Sequence, residues 1–281
     1  MKKYLLLFMI CASFGFKTSA QTVLDGIYVK EHNPTRQVIQ FAYLREADVM
    51  WSKRVWEVVD LKQKINLPLR FPREGDTKDR ASLIETIMNS IEEGSLTAYA
   101  TIDDEFTTPM TMEEFKKIGG AGMDTIQIID PEPPYLTRDS AVVREFSKDK
   151  VVAYRIKSDW FFDKQRSVLE NRIVGFAPMM LDEDDQGNVR EGAILRPLFW
   201  IYYPEARKIL VNTEAFNRGN DAERRTFDDI FQRRMFNSYI IKESNVYNRR
   251  IDEYKTGLDA LLESDRIKEE IVNMEHDLWE Y

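Results

Sequence analysis

A run of six large apolar residues, LFWIYY at positions 198–203, interrupts a chain in which 31% of the residues are charged. Neighbouring side chains of a strand point to opposite faces, so Trp200 and Tyr202 would share one face and equally large side chains would occupy the other. A strand that is bulky on both faces has to be covered on both faces. The run therefore predicts a core strand that ends at Pro204, with packed core on one face and an interaction surface on the other.

The same run is compatible with sugar binding, because Trp200 and Tyr202 on one face could stack on sugar rings. It is too short to cross a bilayer, and it lacks the amphipathic helical spacing of a segment that lies on a membrane surface. A periplasmic glycan-binding protein is therefore an alternative function for the chain.

Several tryptophans occur in a common context, close to arginine or lysine, as in MWSKRVWEVV, DWFFDKQR and FWIYYPEAR. Tryptophan, tyrosine and arginine dominate the residues that contribute most to protein–protein binding. Tryptophans are also common in hydrophobic cores, so a core role and an interface role both stay open for each of them. The candidate partner-binding residues are Trp51, Trp56, Trp160, Trp200, Tyr202 and Arg207.

The N-terminus has the pattern of a secretory signal peptide, with two lysines, an apolar stretch and small residues after it. We expect residues 1–20 to be removed by cleavage between Ala20 and Gln21, which predicts an exported protein. Cys11 lies inside the apolar stretch after bulky residues, which favours simple cleavage over attachment of a lipid. Because Cys11 is the only cysteine, the mature chain would form no disulfide.

The charge balance limits the partners of the chain. Its formal net charge is −8, with 40 Lys and Arg against 48 Asp and Glu, and removal of the lysine-bearing leader makes it more acidic. Such a balance argues against nucleic acid as the main partner. After the leader, every apolar run is far shorter than the roughly 20 residues of a membrane-spanning helix, so we expect no direct membrane span.

Helical and strand-like segments succeed one another irregularly, which predicts an α+β fold of two small units that mix helices with antiparallel sheet. We place the first unit at 21–130, a proline-rich linker at 131–137, the second unit at 138–244 and a C-terminal helical tail at 245–281. In both units a helix runs into a tyrosine-containing strand, as in LIETIMNSIEEGSLTAY and FDDIFQRRMFNSYIIKE, which hints at an old duplication. In the second unit, two apolar runs flank the acidic turn DEDDQGN and predict a β-hairpin.

The apolar positions of the tail fall on two stripes that point to roughly opposite sides of a helix. One stripe runs from Ile251 to Leu262 and the other from Ile267 to Leu278. Either the helix breaks near Ser264, or one long helix makes two different contacts. The tail therefore either packs on its own domain or serves as an arm for a neighbouring subunit.

The residue inventory gives little support for catalysis or metal binding. The mature chain keeps only His32 and His276, and neither lies near a nucleophile motif. The run DEDDQGN starts like a calcium loop, but position 193, where a carboxylate is needed, is alanine. The cluster GGAGM follows a helix rather than preceding one, so it predicts a helix stop and not a phosphate site. We predict no catalytic residues, no metal and no cofactor; the adjacent carboxylates at 103–105 leave an envelope enzyme as the enzymatic alternative.

Long segments of the chain resemble the GldN family of gliding-motility proteins, called PorN in non-gliding relatives, of the type IX secretion system of Bacteroidetes. These segments are DGIYVKEHNPTR, LREADVMWSKRVWEVVDLKQKINLPL, LTAYATIDDEFTTPMT, RIKSDWFFDKQRSVLENRIVGFAPM and LFWIYYPEARKILVNTEAFN, with FDDIF and SYIIKESNVYNR further along. Together they run across nearly the whole mature chain to about Arg250, and they are far longer than a catalytic motif.

The resemblance implies a periplasmic structural protein that forms a ring with an outer-membrane lipoprotein of the GldK or PorK type, at the inner face of the outer membrane. It also implies contacts with neighbouring copies of the chain and with the periplasmic part of a motor formed by the GldL and GldM families. The machine exports proteins that carry a C-terminal sorting domain, and in gliding species it supports motility. The family brings no catalytic residues. A ring needs two different faces on each subunit, which two units and a helical tail can supply.

Overall fold

The part of the chain that the computed structural model describes contains nine strands and six α-helices. That part consists of residues 36–72, 80–102, 104–118, 122–129, 137–144, 146–182, 189, 193–220 and 222–279. The predicted signal peptide at 1–20, with its cleavage between Ala20 and Gln21, lies outside the described residues, as does 131–136 of the predicted linker. Among the described helices, none combines the length and the apolar character that a membrane span requires.

The bounds of these elements are as follows. The strands are β1 (Val49–Asp60), β2 (Ala98–Tyr99), β3 (Gly122–Ile129), β4 (Thr137–Arg144), β5 (Val151–Asp163), β6 (Val168–Leu181), β7 (Leu195–Pro197), β8 (Trp200–Tyr202) and β9 (Tyr239–Glu243). The helices are α1 (Leu67–Arg70), α2 (Leu83–Glu92), α3 (Met112–Lys116), α4 (Tyr203–Leu210), α5 (Phe227–Gln232) and α6 (Leu258–Trp279).

Seven of the strands form one antiparallel sheet in the order β2-β8-β6-β5-β1-β9, with β7 beside β6. The other two strands, β3 and β4, pair with each other as a separate antiparallel hairpin. The longest pairing joins β5 to β6 across the turn at 164–167, so the strand-forming run DWFFDKQRSVLENRIVGFAPMM contains the end of one strand and most of the next. Helices together with a mostly antiparallel sheet confirm the predicted α+β class.

The main sheet draws its strands from both predicted units. Strand β1, from the range 21–130, lies between β5 and β9, which come from the range 138–244. Strand β2, also from the first range, pairs with β8 from the second. Within the described residues the two ranges therefore share one sheet and one hydrophobic core. The duplication stays a prediction.

The aromatic run folds as a short strand and the start of a helix. Strand β8 ends at Tyr202, and α4 begins at Tyr203 with Pro204 in its first turn. The strand thus ends earlier than predicted, because proline suits the first turn of a helix, where its missing N–H costs no hydrogen bond. The predicted hairpin around the acidic turn is present as the pairing of Met179–Leu181 in β6 with β7.

Helix α2 follows the predicted apolar spacing. Its N-cap residue Ser82 accepts a hydrogen bond from the backbone N–H of Glu85, and Gly94 adopts a positive φ of 74° just after the helix. These two features define where the helix starts and stops. The apolar residues that α2 buries against the sheet are Leu83, Ile84, Ile87, Met88 and Ile91.

The C-terminal tail contains a continuous helix, α6, so of the two predicted alternatives the break near Ser264 is wrong and one long helix is present. Ser264 is buried, and its hydroxyl accepts a hydrogen bond of 2.7 Å from the backbone N–H of Ile240 in β9. One turn further on, Ile267 and Ile271 are buried against β1 and β9. The helix packs on its own sheet along this side, while Leu261, from the other predicted stripe, is exposed.

Candidate docking face of the sheet

The main sheet has two different faces, because side chains alternate along each strand. One, which we call the helix-covered face, carries residues such as Ile156, Phe176 and Ile201 in a cluster with apolar residues of α2, α4 and α5. The other, which we call the tryptophan face, carries Trp56, Ala177 and Trp200. Trp200 and Ile201 thus point to opposite faces, as the sequence predicted, and both are buried.

Phe106 covers the tryptophan face from the loop after β2. Its ring centroid lies 5.9 Å from that of Trp200, 5.5 Å from that of Tyr202 and 5.7 Å from that of Tyr99. Gly175 in β6 makes room for this ring, since a Cβ at this position would collide with Phe106 and lie 2.6 Å from the carbonyl oxygen of Ile201. Only a residue without a side chain lets Phe106 approach the sheet so closely.

A buried lysine holds the same loop. Lys157 in β5 is only 3% exposed, and its Nζ donates a hydrogen bond of 2.5 Å to the backbone carbonyl of Asp104. The same Nζ lies 3.4 Å from the Asp104 carboxylate, which also accepts a hydrogen bond from the indole N–H of Trp56. The cation lies 5.7 Å from the ring centroids of Trp56 and Phe106. A charged group can be buried here because each of its neighbours favours a cation.

A cleft of about 400 Å³ opens beside this loop on the tryptophan face. The loop borders it through Ile102 and Asp104, and the segment after β9 borders it through Asn248 and Arg250. Strands supply Trp56, Trp200, Arg155 and Lys242 to its walls. The volume lies within the usual range of ligand sites in proteins.

Trp51 and Trp160 lie in another cluster, next to α6. Both are half-buried and pack against the apolar residues that α6 covers. The guanidinium of Arg234 lies 4.9 Å from the ring centroid of Trp160, and it also donates a hydrogen bond of 2.6 Å to the buried carboxylate of Glu57. These two tryptophans are therefore partly accessible, unlike Trp56 and Trp200.

Arg207 is not an accessible side chain. It is buried on α4 and pairs with Asp228 of α5 through a contact of 2.9 Å. It also donates a hydrogen bond of 2.7 Å to the carbonyl of Ile39, and its guanidinium lies 4.5 Å from the ring centroid of Phe41. The guanidinium of Arg172 lies 5.0 Å from the same Phe41 centroid, so two arginines hold the segment before β1.

The structure thus separates the six predicted residues into three places. Trp56, Trp200 and Tyr202 meet on the tryptophan face, Trp51 and Trp160 lie beside α6, and Arg207 is buried between α4 and α5. Sequence reasoning missed the charged lining of the cleft. A signal was present in β5, where Arg155, Lys157 and Asp159 alternate with Tyr154 and other residues of the core face.

The carboxylates and histidines that could serve catalysis or metal binding are accounted for only in part. Within the described residues, no group of three or more His, Cys, Asp or Glu side chains could hold a metal ion. Asp104, one of the adjacent carboxylates at 103–105, is engaged by Trp56 and Lys157, while Asp103 lies outside the described residues. His276 is exposed on α6. Polar groups of the tryptophan face hold the loop after β2, and the charged groups that line the cleft can bind a ligand.

A comparison with protein families identifies the chain. The family described as "Gliding motility associated protein GldN" matches residues 44–280. The chain belongs to the GldN family. The GldN match begins just before β1 and extends through α6, so it includes both tryptophan clusters and the C-terminal helix. The predicted resemblance is confirmed, and with it an association with gliding motility. No curated protein matches the chain in a sequence search.

Proposed function

We propose that this GldN-family protein is a non-enzymatic structural component of the type IX secretion and gliding machinery. Its place of action is the periplasm, at the inner face of the outer membrane. The observation that carries the proposal is the family match, which spans residues 44–280 and therefore nearly all of the described fold. A family described by gliding motility favours a role in an assembly over a role in turnover of a small substrate.

The proposed partners are an outer-membrane lipoprotein of the GldK or PorK type and neighbouring copies of the chain, joined in a ring. The periplasmic part of a GldL and GldM motor would contact the same assembly. A ring built from one kind of subunit needs two different contact surfaces on each copy. The tryptophan face and the exposed side of α6 are two such surfaces, and they are built from different elements.

The predicted partner-binding residues would divide into two roles. Trp51, Trp160 and Tyr202 are half-buried, so part of each ring can contact a partner directly. Trp56, Trp200 and Arg207 are buried and would act beneath the surface, where they fix residues 104–106 and helix α4. Rigid support of this kind lowers the entropy that an interface loses on binding.

The burial of the tryptophans weighs against the glycan-binding alternative. A sugar that stacks needs an open aromatic face, but Trp200 is 2% exposed and Trp56 is 8% exposed. The Nζ of Lys242 already lies 4.5 Å from the ring centroid of Trp56. The cleft therefore offers charged groups to a ligand more than it offers ring faces.

Affinity purification from crosslinked cell envelopes tests the proposal. We expect the tagged mature chain to recover the lipoprotein in stoichiometric amount and in very large particles. Recovery of the chain as a monomer, from envelopes in which the lipoprotein is abundant, would contradict it. Mass analysis of the purified chain tests export in the same sample, because cleavage after Ala20 would leave Gln21 as the first residue.

A matched pair of variants separates folding from docking in this experiment. Tyr202→Ala changes a half-buried ring of the tryptophan face, whereas Trp200→Ala removes a buried one. We expect Tyr202→Ala to stay folded and to recover less lipoprotein, and Trp200→Ala to lower the stability of the isolated protein. Circular dichroism of both purified variants provides the folding control.

A further inference from the structure

Three cations line the cleft on the tryptophan face, and within the described residues Arg155 forms no ion pair. Arg155 of β5, Lys242 of β9 and Arg250 line it from three separate segments. Arg155 is half-buried, and within the described residues its buried Nε has no hydrogen-bond partner. The buried Nε of Arg250 is likewise without a partner there, although the other end of its guanidinium pairs with Asp252 at 2.9 Å.

The two arginines disfavour each other. Burial lowers the pKa of Arg155, and the positive charge of Arg250 lowers it further. Two neighbouring guanidiniums in a partly desolvated place repel unless an anion lies between them. A guanidinium presents its N–H groups in a planar fork that matches the two oxygens of a carboxylate.

Asp104 and Asp252 favour the charged form of Arg155, but their effect is smaller than those of burial and Arg250, and within the described residues neither carboxylate forms an ion pair with Arg155. Asp104 accepts a hydrogen bond from Trp56 and faces the buried Lys157. Glu105 and Asp104 both act electrostatically on Arg54, which is paired with Asp159 at 2.6 Å. The guanidinium of Arg155 could therefore donate hydrogen bonds to an anion that enters the cleft.

We propose that the cleft binds a carboxylate carried by an acidic peptide segment of a partner protein, with Arg155 and Arg250 holding the carboxylate and Lys242 adding a second cation. The chain has a net charge of −8, so this cationic cleft is a local exception that would steer an acidic segment to one place on the surface. Ile102, which is 90% exposed, and Pro197 add apolar surface at the edge of the cleft for the residues beside the acid.

A peptide suits the cleft better than an acidic sugar does, because both tryptophan rings are covered and cannot stack on a sugar. The proposal deepens the proposed function and rests on it for the nature of the partner. Peptide binding by the isolated protein and recovery of the lipoprotein from envelopes are separate measurements, so either can fail without the other.

Fluorescence anisotropy with the purified full-length mature protein tests the proposal. The probe is a labelled octapeptide that alternates glutamate with leucine, and its matched control has glutamine in place of glutamate. We expect the glutamate peptide to bind and Arg155→Gln to weaken its binding by about tenfold. Arg155→Lys should restore part of the affinity, because it keeps the charge and loses the fork. Equal binding of both peptides, or unchanged binding to Arg155→Gln, would overturn the proposal.

A matched variant and a stability measurement distinguish binding from folding. Arg225→Gln removes an arginine that does not line the cleft, and we expect it to leave peptide affinity within about twofold. Because Arg155 is repelled by Arg250, Arg155→Gln should leave the melting temperature of the free protein unchanged or raised. A lower melting temperature would assign Arg155 a structural role and contradict the proposal.

Competitors identify the source of the anion. Acetate in excess should displace the glutamate peptide, because it presents the same carboxylate. Displacement by inorganic phosphate at concentrations at which acetate has no effect would contradict the assignment to a carboxylate. Tight binding of an oligogalacturonate together with no binding of the glutamate peptide would overturn the choice of a peptide.

Discussion

The two faces of the main sheet achieve stability by different means. On the helix-covered face, apolar residues from strands and helices pack together, as where Phe231 of α5 stacks on Phe176 of β6 at 5.3 Å. On the tryptophan face, a loop is held by the buried Lys157, the carboxylate of Asp104 and the ring of Phe106. Apolar packing is non-directional, whereas charge and hydrogen bonds fix orientation. The first face therefore contributes more to the stability of the fold, and the second fixes the position of the loop that it presents.

Phe231→Ala tests the first half of this comparison and should have the largest effect. The ring is fully buried and also contacts Tyr203 and Phe236 edge-on. Truncation of a buried phenylalanine costs about 3–5 kcal/mol of the free energy of unfolding. Urea denaturation measures the loss, and Ile102→Ala, at an exposed position, provides the control with less than about 0.5 kcal/mol. Similar losses in the two variants would contradict the assignment of the core.

Gly175→Ala should destabilise the protein by about 1–3 kcal/mol, because its new Cβ would collide with Phe106 and with the Ile201 carbonyl. Thermal denaturation measures the loss, and tryptophan fluorescence reports displacement of Phe106 from Trp200. In the double variant with Phe106→Ala, the clash with the ring is removed and the clash with the backbone remains. The double variant should therefore lose less than the sum of the two single changes. Additive losses would show that Phe106 does not depend on Gly175.

Lys157→Met should have a moderate effect of about 1–2 kcal/mol, because methionine keeps the aliphatic contacts but leaves Asp104 without its cation. We also expect faster hydrogen exchange at residues 104–106, which Lys157 holds through the Asp104 carbonyl. Asp104→Asn in the same background removes the unpaired charge and should add little further loss. Unchanged exchange in the loop would mean that Phe106 alone keeps it in place.

The smallest effect is expected at the exposed side of α6. Leu261→Ala removes an exposed side chain and should change the free energy of unfolding by less than about 0.5 kcal/mol. Ile267→Ala, on the buried side of the same helix, should cost about 2–4 kcal/mol and serves as the paired comparison. Chemical denaturation of both variants checks the difference. A loss at Leu261 as large as that at Ile267 would show that the isolated chain covers this side too.

Local elements could be predicted from the sequence, and long-range partners could not. The spacing of Leu83, Ile87 and Ile91 predicted α2 because helical periodicity is written in the sequence itself. The sequence did not reveal that β1 lies between β5 and β9, since strand order depends on contacts between distant segments. For the same reason the sequence did not reveal that strands from the ranges 21–130 and 138–244 pair with each other.

The candidate site shows the same limit. Arg207 was predicted to contact a partner protein. In the structure its guanidinium pairs with Asp228 and lies against the ring of Phe41. The sequence left open a break at Ser264 or one long helix; the helix is continuous because a polar residue on its buried side can be hydrogen-bonded by a strand, here by the N–H of Ile240. The alternation of charged residues in β5 was the sequence signal for a charged surface at the cleft.

We propose that the tryptophan face, and not the helix-covered face, contacts the outer-membrane lipoprotein. Site-specific photo-crosslinking in cells tests it most directly, with the reactive amino acid placed at Ile102, which is exposed at the edge of the cleft, or at Glu113, which is exposed on α3. Helix α3 packs on the helix-covered face through Phe115. We predict a crosslink to the lipoprotein from position 102 and none from position 113. A crosslink from position 113 alone would contradict the claim.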